Sequence, residues 1–205
     1  MSSLRILFVV VLLAGMSRPL LAQPQAIQIY RQDELLELIK INKHLRRVLD
    51  DDCQLVQDIE ARAEKMKVPA YEFLWGDMLA HGICVEEDIP QGLVYIERAA
   101  DQGLPEALEQ LGRYYATGKW VQANLTKAMK LLRPAAEAGN LKALLRFGDL
   151  VLAGHGMAMD REDAYRWLKS AVIPHKPSWR RADDLAKKLA KGLPPSVVSR
   201  IDSEL

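Results

Sequence analysis

The sequence predicts an all-α fold: a right-handed α-solenoid of stacked helix pairs, preceded by a helical hairpin and closed by a capping helix. Three observations predict it. Glycines recur at a step of 36, at Gly76, Gly112 and Gly148 and again at Gly82, Gly118 and Gly154. The same step links Asp88, Asn124 and Asp160, then Tyr71, Ala107 and Ala143, then Ala99, Ala135 and Ala171. Pro69 and Pro105 open the first helix of a unit, where a missing N–H costs nothing, and the glycines at 82, 118 and 154 close it with positive φ. A fixed period of this length marks units that each bury their core against the next. Such a chain offers a surface rather than a catalytic pocket.

Residues 1–22 read as a secretory signal peptide: Arg5 supplies the positive start, Ile6 to Gly15 the apolar core, and Leu-Leu-Ala before Gln23 the cleavage site. The apolar run is short for a membrane span, which takes about 20 residues; the alternative is an uncleaved N-terminal anchor. Removing Arg5 and Arg18 takes the formal charge from +1 to −1, since no acid leaves with them. A near-neutral chain has no electrostatic footprint for nucleic acid.

Residues 23–68 form the N-terminal segment and hairpin. Gln25–Arg31 alternates loosely and reads as extended. Asp33 is expected to cap a helix over 33–48, carried by Leu35, Leu36, Ile39, Leu45 and Val48 at helical spacing. Asp52 is expected to cap a second helix over 52–66, with Leu55, Val56, Ile59 and Ala63 on one side. Three repeats follow at 69–104, 105–140 and 141–176. Their first helices are expected at 70–81, 106–117 and 142–153, and their second at 90–101, 126–137 and 162–172. Gly76, Gly112 and Gly148 fall mid-helix, where glycine costs about 1 kcal/mol against alanine. Close helix approach is the expected cause, with Ala99/Ala100, Ala135/Ala136 and Ala171 as the small residues opposite. Residues 177–205 hold the cap and tail: an amphipathic helix over 178–191, whose polar outer face suits a solenoid end, then a short helix after Pro194-Pro195.

Cys53 and Cys84 are the two cysteines of the chain. In an oxidising compartment two thiols usually pair. Bridging them would stabilise the fold by about 3–4 kcal/mol in the chain-entropy model; the alternative is two free, buried thiols.

The repeat resembles the Sel1-like family, relatives of the tetratricopeptide repeat. The best copy spans 107–140, with agreement at Ala107, Leu111, Gly112, Tyr115, Gly118, Val121, Ala128, Ala135, Ala136 and Gly139. Leu79 and Val151 replace the tyrosine in the other copies, and His175 replaces the last glycine. A narrower resemblance rests on residues 28–63, 69–88, 103–115 and 162–168, which are similar to the MotX family of the sodium-driven polar flagellar motor. The hairpin containing Cys53 is its discriminating part. That resemblance implies a periplasmic, non-catalytic T-ring component at the flagellar basal body. Its implied partners are MotY and the periplasmic region of PomB, in support of PomA/PomB stator units around the rotor. The broader alternative is a general periplasmic Sel1-like adaptor for envelope proteins.

Enzyme chemistry finds little support. His44, His81, His155 and His175 are scattered and show no i, i+4 zinc pairing. No G-x-S-x-G elbow and no phosphate-cradling loop occurs. No metal and no cofactor is expected. Ion flux needs intramembrane polar groups, so sodium coupling belongs to other proteins.

Partner contacts are therefore expected on the concave row of the first helices. The row comprises Phe73, Asp77 and His81 in copy one and Glu106, Glu109, Arg113 and Thr117 in copy two. Copy three supplies Lys142, Leu145, Asp149 and Leu152. Mixed charge with apolar anchors suits a protein groove. Burial under the cap helix is the competing reading for Leu145 and Leu152, and core filling competes with an exposed anchor role for Trp120. Trp75 and Trp167 read as core.

Overall fold

A computed structural model describes residues 30–204 and holds eleven helices there, with no strand among the described residues. The expected leader and most of the extended reading at 25–31 lie outside the described residues. The N-terminal segment folds as α1 (Gln32–Lys40), α2 (His44–Asp50) and α3 (Val56–Glu64). Three helix pairs follow: α4 (Pro69–His81) with α5 (Ile89–Asp101), α6 (Pro105–Thr117) with α7 (Leu125–Glu137), and α8 (Leu141–Leu152) with α9 (Ala158–Ser170). The chain ends with α10 (Lys176–Ala190) and α11 (Pro195–Glu204).

The single helix expected over 33–48 is broken in two. Asn42 takes φ 56°, and the Lys43 N–H donates back to the Leu38 carbonyl at 2.8 Å, a left-handed helix stop. Asparagine tolerates this backbone because its short amide can bond locally. Arg31, not Asp33, holds the N-cap position, and Asp33 pairs with it from the first turn at 2.7 Å. Asp52 is no cap either. Asp52 and Cys53 both stand at positive φ, 51° and 60°, in the turn that ends α2, and α3 starts only at Val56. That turn brings the Cys53 Cα to 5.5 Å from that of Cys84, and the two are joined by a disulfide. The N-terminal segment is thereby tied to the turn between α4 and α5.

Gly82 and Gly118 close α4 and α6 in the left-handed region, at φ 61° and 74°. Asp88 and Asn124 cap α5 and α7, each accepting a main-chain N–H at 2.9 Å. The third pair departs from this pattern. Helix α9 begins at Ala158, two residues before the register position that caps α5 and α7. Asp160 therefore lies inside the first turn and accepts from the Met157 N–H at 2.6 Å.

The mid-helix glycines do mark close approach, but the partners differ from those expected. A Cβ on Gly76 would lie 2.7 Å from the Gly92 carbonyl oxygen and 2.8 Å from Ile96 Cγ1. On Gly112 it would meet Leu132 Cγ at 2.6 Å, and on Gly148 it would meet Leu185 Cδ2 of α10 at 2.8 Å. Ala99 and Ala135 are buried but do not face these glycines, and Ala171 lies just past the end of α9 as its C-cap. The core forms two clusters, one from Tyr30 to Tyr114 and one from Met129 to Ile201. Trp75 is buried in the first, and Trp167 packs half-buried on Phe147 at the second, ring centroids 5.8 Å apart.

Candidate interaction surface

Helix α4 is enclosed on almost every side, by α5, α3 and the α1–α2 pair, and ten of its residues are buried. This placement decides the fate of the expected binding row. Phe73 and Asp77 do not face solvent: both are buried, at 2% and 3% exposure. The physical reason is that α2 lies over them. His44 Nε2 sits 2.8 Å from Asp77 Oδ2, and its ring lies 5.5 Å from that of Phe73. Gln110 Nε2 of α6 donates to the other oxygen, Asp77 Oδ1. One buried carboxylate thus ties the N-terminal pair to the first two repeats.

The same closure extends along the row. Glu109 is buried and accepts from Arg146 Nε at 2.9 Å, joining repeats two and three. Lys142 Nζ donates to the Lys40 carbonyl and to Asn42 Oδ1, each at 2.9 Å, so α8 holds the α1–α2 turn across 100 residues of sequence. Asp149 is exposed and pairs with Arg181 of α10 at 2.8 Å. Leu145 and Leu152 are half-buried against the second cluster, which includes Leu185 of the cap. Arg113 is half-buried over the Tyr114 ring at 4.6 Å, and the Thr117 hydroxyl donates to its carbonyl at 2.8 Å. His81 Nδ1 lies 3.0 Å from the Asp77 carbonyl oxygen. Trp120 fills space between His81 and Tyr114, centroids 4.9 and 5.1 Å away, with Lys119 Nζ 3.9 Å above the ring. It is half-buried against the first core cluster.

An open part of the concave side remains beyond this closure. A groove of about 720 Å³ runs between α1, the start of α6 and α8, lined by Leu36, Lys40, Glu106, Lys142, Leu145 and Ser178. Of the expected row, Glu106, Lys142 and Leu145 reach it. Among the described residues no three His, Cys, Asp or Glu side chains cluster as a metal site would require.

The Sel1 repeat family matches residues 69–104, 105–140 and 142–172. The similarity to one curated protein runs wider than the repeats. Over 174 residues, 85% of this chain and 82% of the other, 49% of positions are identical to the sodium-type polar flagellar protein MotX of Vibrio parahaemolyticus. The chain belongs to the MotX family. Its solenoid also resembles a Sel1 repeat protein of Oxalobacter formigenes, with TM-score 0.56 and 26% identity over 62% of this chain and 96% of that one. A protective antigen of uropathogenic Escherichia coli shares the fold at TM-score 0.53 and 19% identity, over 69% of this chain and 34% of that one.

Within this MotX-family chain, sequence reasoning missed the residues that close the row: His44, Asn42, Gln110 and Arg146. Each contacts a residue 33 or more positions away, beyond the reach of local periodicity. Another buried acid, Glu72, accepts from Gln102 Nε2. Burial pushes its carboxyl above the ordinary range, with Arg98 opposing. No helix of the described residues is long and apolar enough to cross a membrane.

Proposed function

We propose that this chain is a non-catalytic docking component of a sodium-driven polar flagellar motor. In this reading it acts in the periplasm as part of the T ring at the basal body, binds MotY, and helps hold PomA/PomB stator units around the rotor through the periplasmic region of PomB. The observation that carries the reading is the 49% identity to MotX over 85% of the chain. The geometry is in keeping with it: polar groups along the concave row bond one another instead of converging on a reactive cleft. Deleting the gene is expected to abolish swimming while flagellar filaments still assemble. Normal swimming would reject the proposal. Loss of envelope integrity with motility preserved would favour a general periplasmic adaptor.

A further inference from the structure

The concave side that solenoids use for binding is already taken, at its N-terminal end, by a segment of this chain: the α1–α2 pair. Leu35 and Ile39 of α1 and Val48 of α2 are buried in the first core cluster together with Phe73. Spaced i, i+4, Leu35 and Ile39 form the apolar stripe of an amphipathic helix, and Asp33, Glu34 and Glu37 stand on its exposed side. Recognition of a helix in a groove between two proteins uses the same kind of stripe.

The pair is fastened at two ends. At one, the Cys53–Cys84 disulfide fixes the chain just after α2 to the turn between α4 and α5. At the other, Lys142 of α8 donates to the Lys40 carbonyl and to Asn42 Oδ1, two uncharged acceptors in the α1–α2 turn. Between the ends stands His44, whose Nε2 meets Asp77 while its buried Nδ1 has no partner among the described residues. Neither α1 nor α2 has a side-chain N-cap, whereas α5, α7 and α8 are capped by Asp88, Asn124 and Asn140. Helices of nine and seven residues do not persist on their own in water. Local opening draws on segments of this kind, and a flap hinged at the disulfide can swing away while the repeats stay folded. The open groove beside it shares Leu36, Lys40 and Lys142 with the flap and its latch, so an incoming helix can enter alongside α1 before replacing it.

We propose that the α1–α2 pair is an autoinhibitory lid, opened by a protein partner that lays an amphipathic helix of its own along α4. The lid defines the chemistry of that helix: leucine or isoleucine at i and i+4 facing the cluster that holds Phe73, and a hydrogen-bonding group for Asp77 in the place of His44. Opening returns Phe73, Asp77 and Gln110, all buried in the closed form, to the concave row. The lid stands apart from the motor reading, and its test does not use motility.

The test adds a synthetic peptide of residues 30–52 to the ¹⁵N-labelled, disulfide-bonded chain of residues 23–205 and follows amide signals by NMR. Signals of residues 32–50 in the chain should move to unstructured positions as the peptide saturates, while those of α5, α7 and α9 stay. A peptide of the same composition in scrambled order should change nothing. Only open molecules bind, so the apparent dissociation constant is the intrinsic one divided by the open fraction. His44→Ala in the chain weakens the lid and leaves groove and peptide unaltered, so it should tighten peptide binding by about tenfold or more. If that variant fails to fold, displacement of residues 32–50 in the unaltered chain decides alone. No displacement by the peptide, or equal affinity for the two folded chains, overturns the lid. Dimers of the His44→Ala chain in light scattering, dispersed by the peptide, would give the groove to the α1–α2 pair of a second copy and overturn the partner assignment.

Discussion

Adding a single methyl at Gly76 tests how tightly the first repeat is built. In Gly76→Ala the new Cβ would lie 2.7 Å from the Gly92 carbonyl oxygen, 2.8 Å from Ile96 Cγ1 and 3.0 Å from the Ile96 nitrogen. Two of those three atoms are main chain, so no rotamer change relieves the overlap and α4 must move away from α5. Helix α4 has little room to move, because α1, α2 and α3 press on its other sides. Overpacking costs about 1–3 kcal/mol, and a clash with main chain falls in the upper part, about 2–3 kcal/mol; alanine returns about 1 kcal/mol of helix propensity, leaving a net loss of about 1–2 kcal/mol. Gly92→Ala should behave alike, since its Cβ would meet the Gly76 carbonyl oxygen at 2.6 Å and the Ala80 nitrogen at 2.8 Å. Gly148→Ala meets an outer methyl of Leu185, which can shift, so it should fall close to the parent stability, whereas Gly112→Ala meets Cγ of the fully buried Leu132 at 2.6 Å and should lose about as much as Gly76→Ala. Urea unfolding at constant m-value measures all four. A Gly76→Ala protein as stable as its parent, or a Gly148→Ala protein losing as much, would refute the reasoning.

Three more outcomes are expected. Cys53→Ser and Cys84→Ser should each cost about 3–4 kcal/mol, and the double substitution no more than either, because all remove one link; additive losses in urea titration would count against it. His44→Ala should strip one partner from the buried Asp77 carboxylate at a cost of about 2 kcal/mol. Hydrogen exchange should then rise first in α1 and α2, while uniform acceleration across the repeats would deny that α2 is held locally. Glu72→Gln should stabilise the protein at pH 7. The raised pKa of Glu72 means the folded state holds that proton where the unfolded chain has released it. The penalty of the wild-type carboxylate is therefore full above the folded pKa and fades as pH falls toward the unfolded value. The advantage of the variant should shrink between pH 7 and pH 4, and growth on acidification would contradict the sign.

The solenoid was legible because its signals are local and recur. Gly82, Gly118, Asp88 and Asn124 mark turns and caps by their own chemistry, whatever lies elsewhere in the chain. The third repeat was less legible: the register that makes Asp88 a cap puts Asp160 inside the first turn of a helix, because α9 starts at Ala158. The binding row was misread for a different reason. Helical spacing places Phe73 and Asp77 on the inner side of the solenoid but cannot say that α2 folds back to cover them. Asp77 looks like a groove carboxylate until His44 and Gln110 are brought to it from 33 positions away on either side. Likewise the break at Asn42, which aims α2 into the groove, hides inside a continuous apolar stripe.

The most direct measurement follows stator assembly in living cells. Fluorescently tagged PomB should gather at the flagellar pole when this protein is present, scatter when it is deleted, and return when it is restored from a plasmid. Polar foci of normal intensity in the deletion strain would contradict a role in holding the stator.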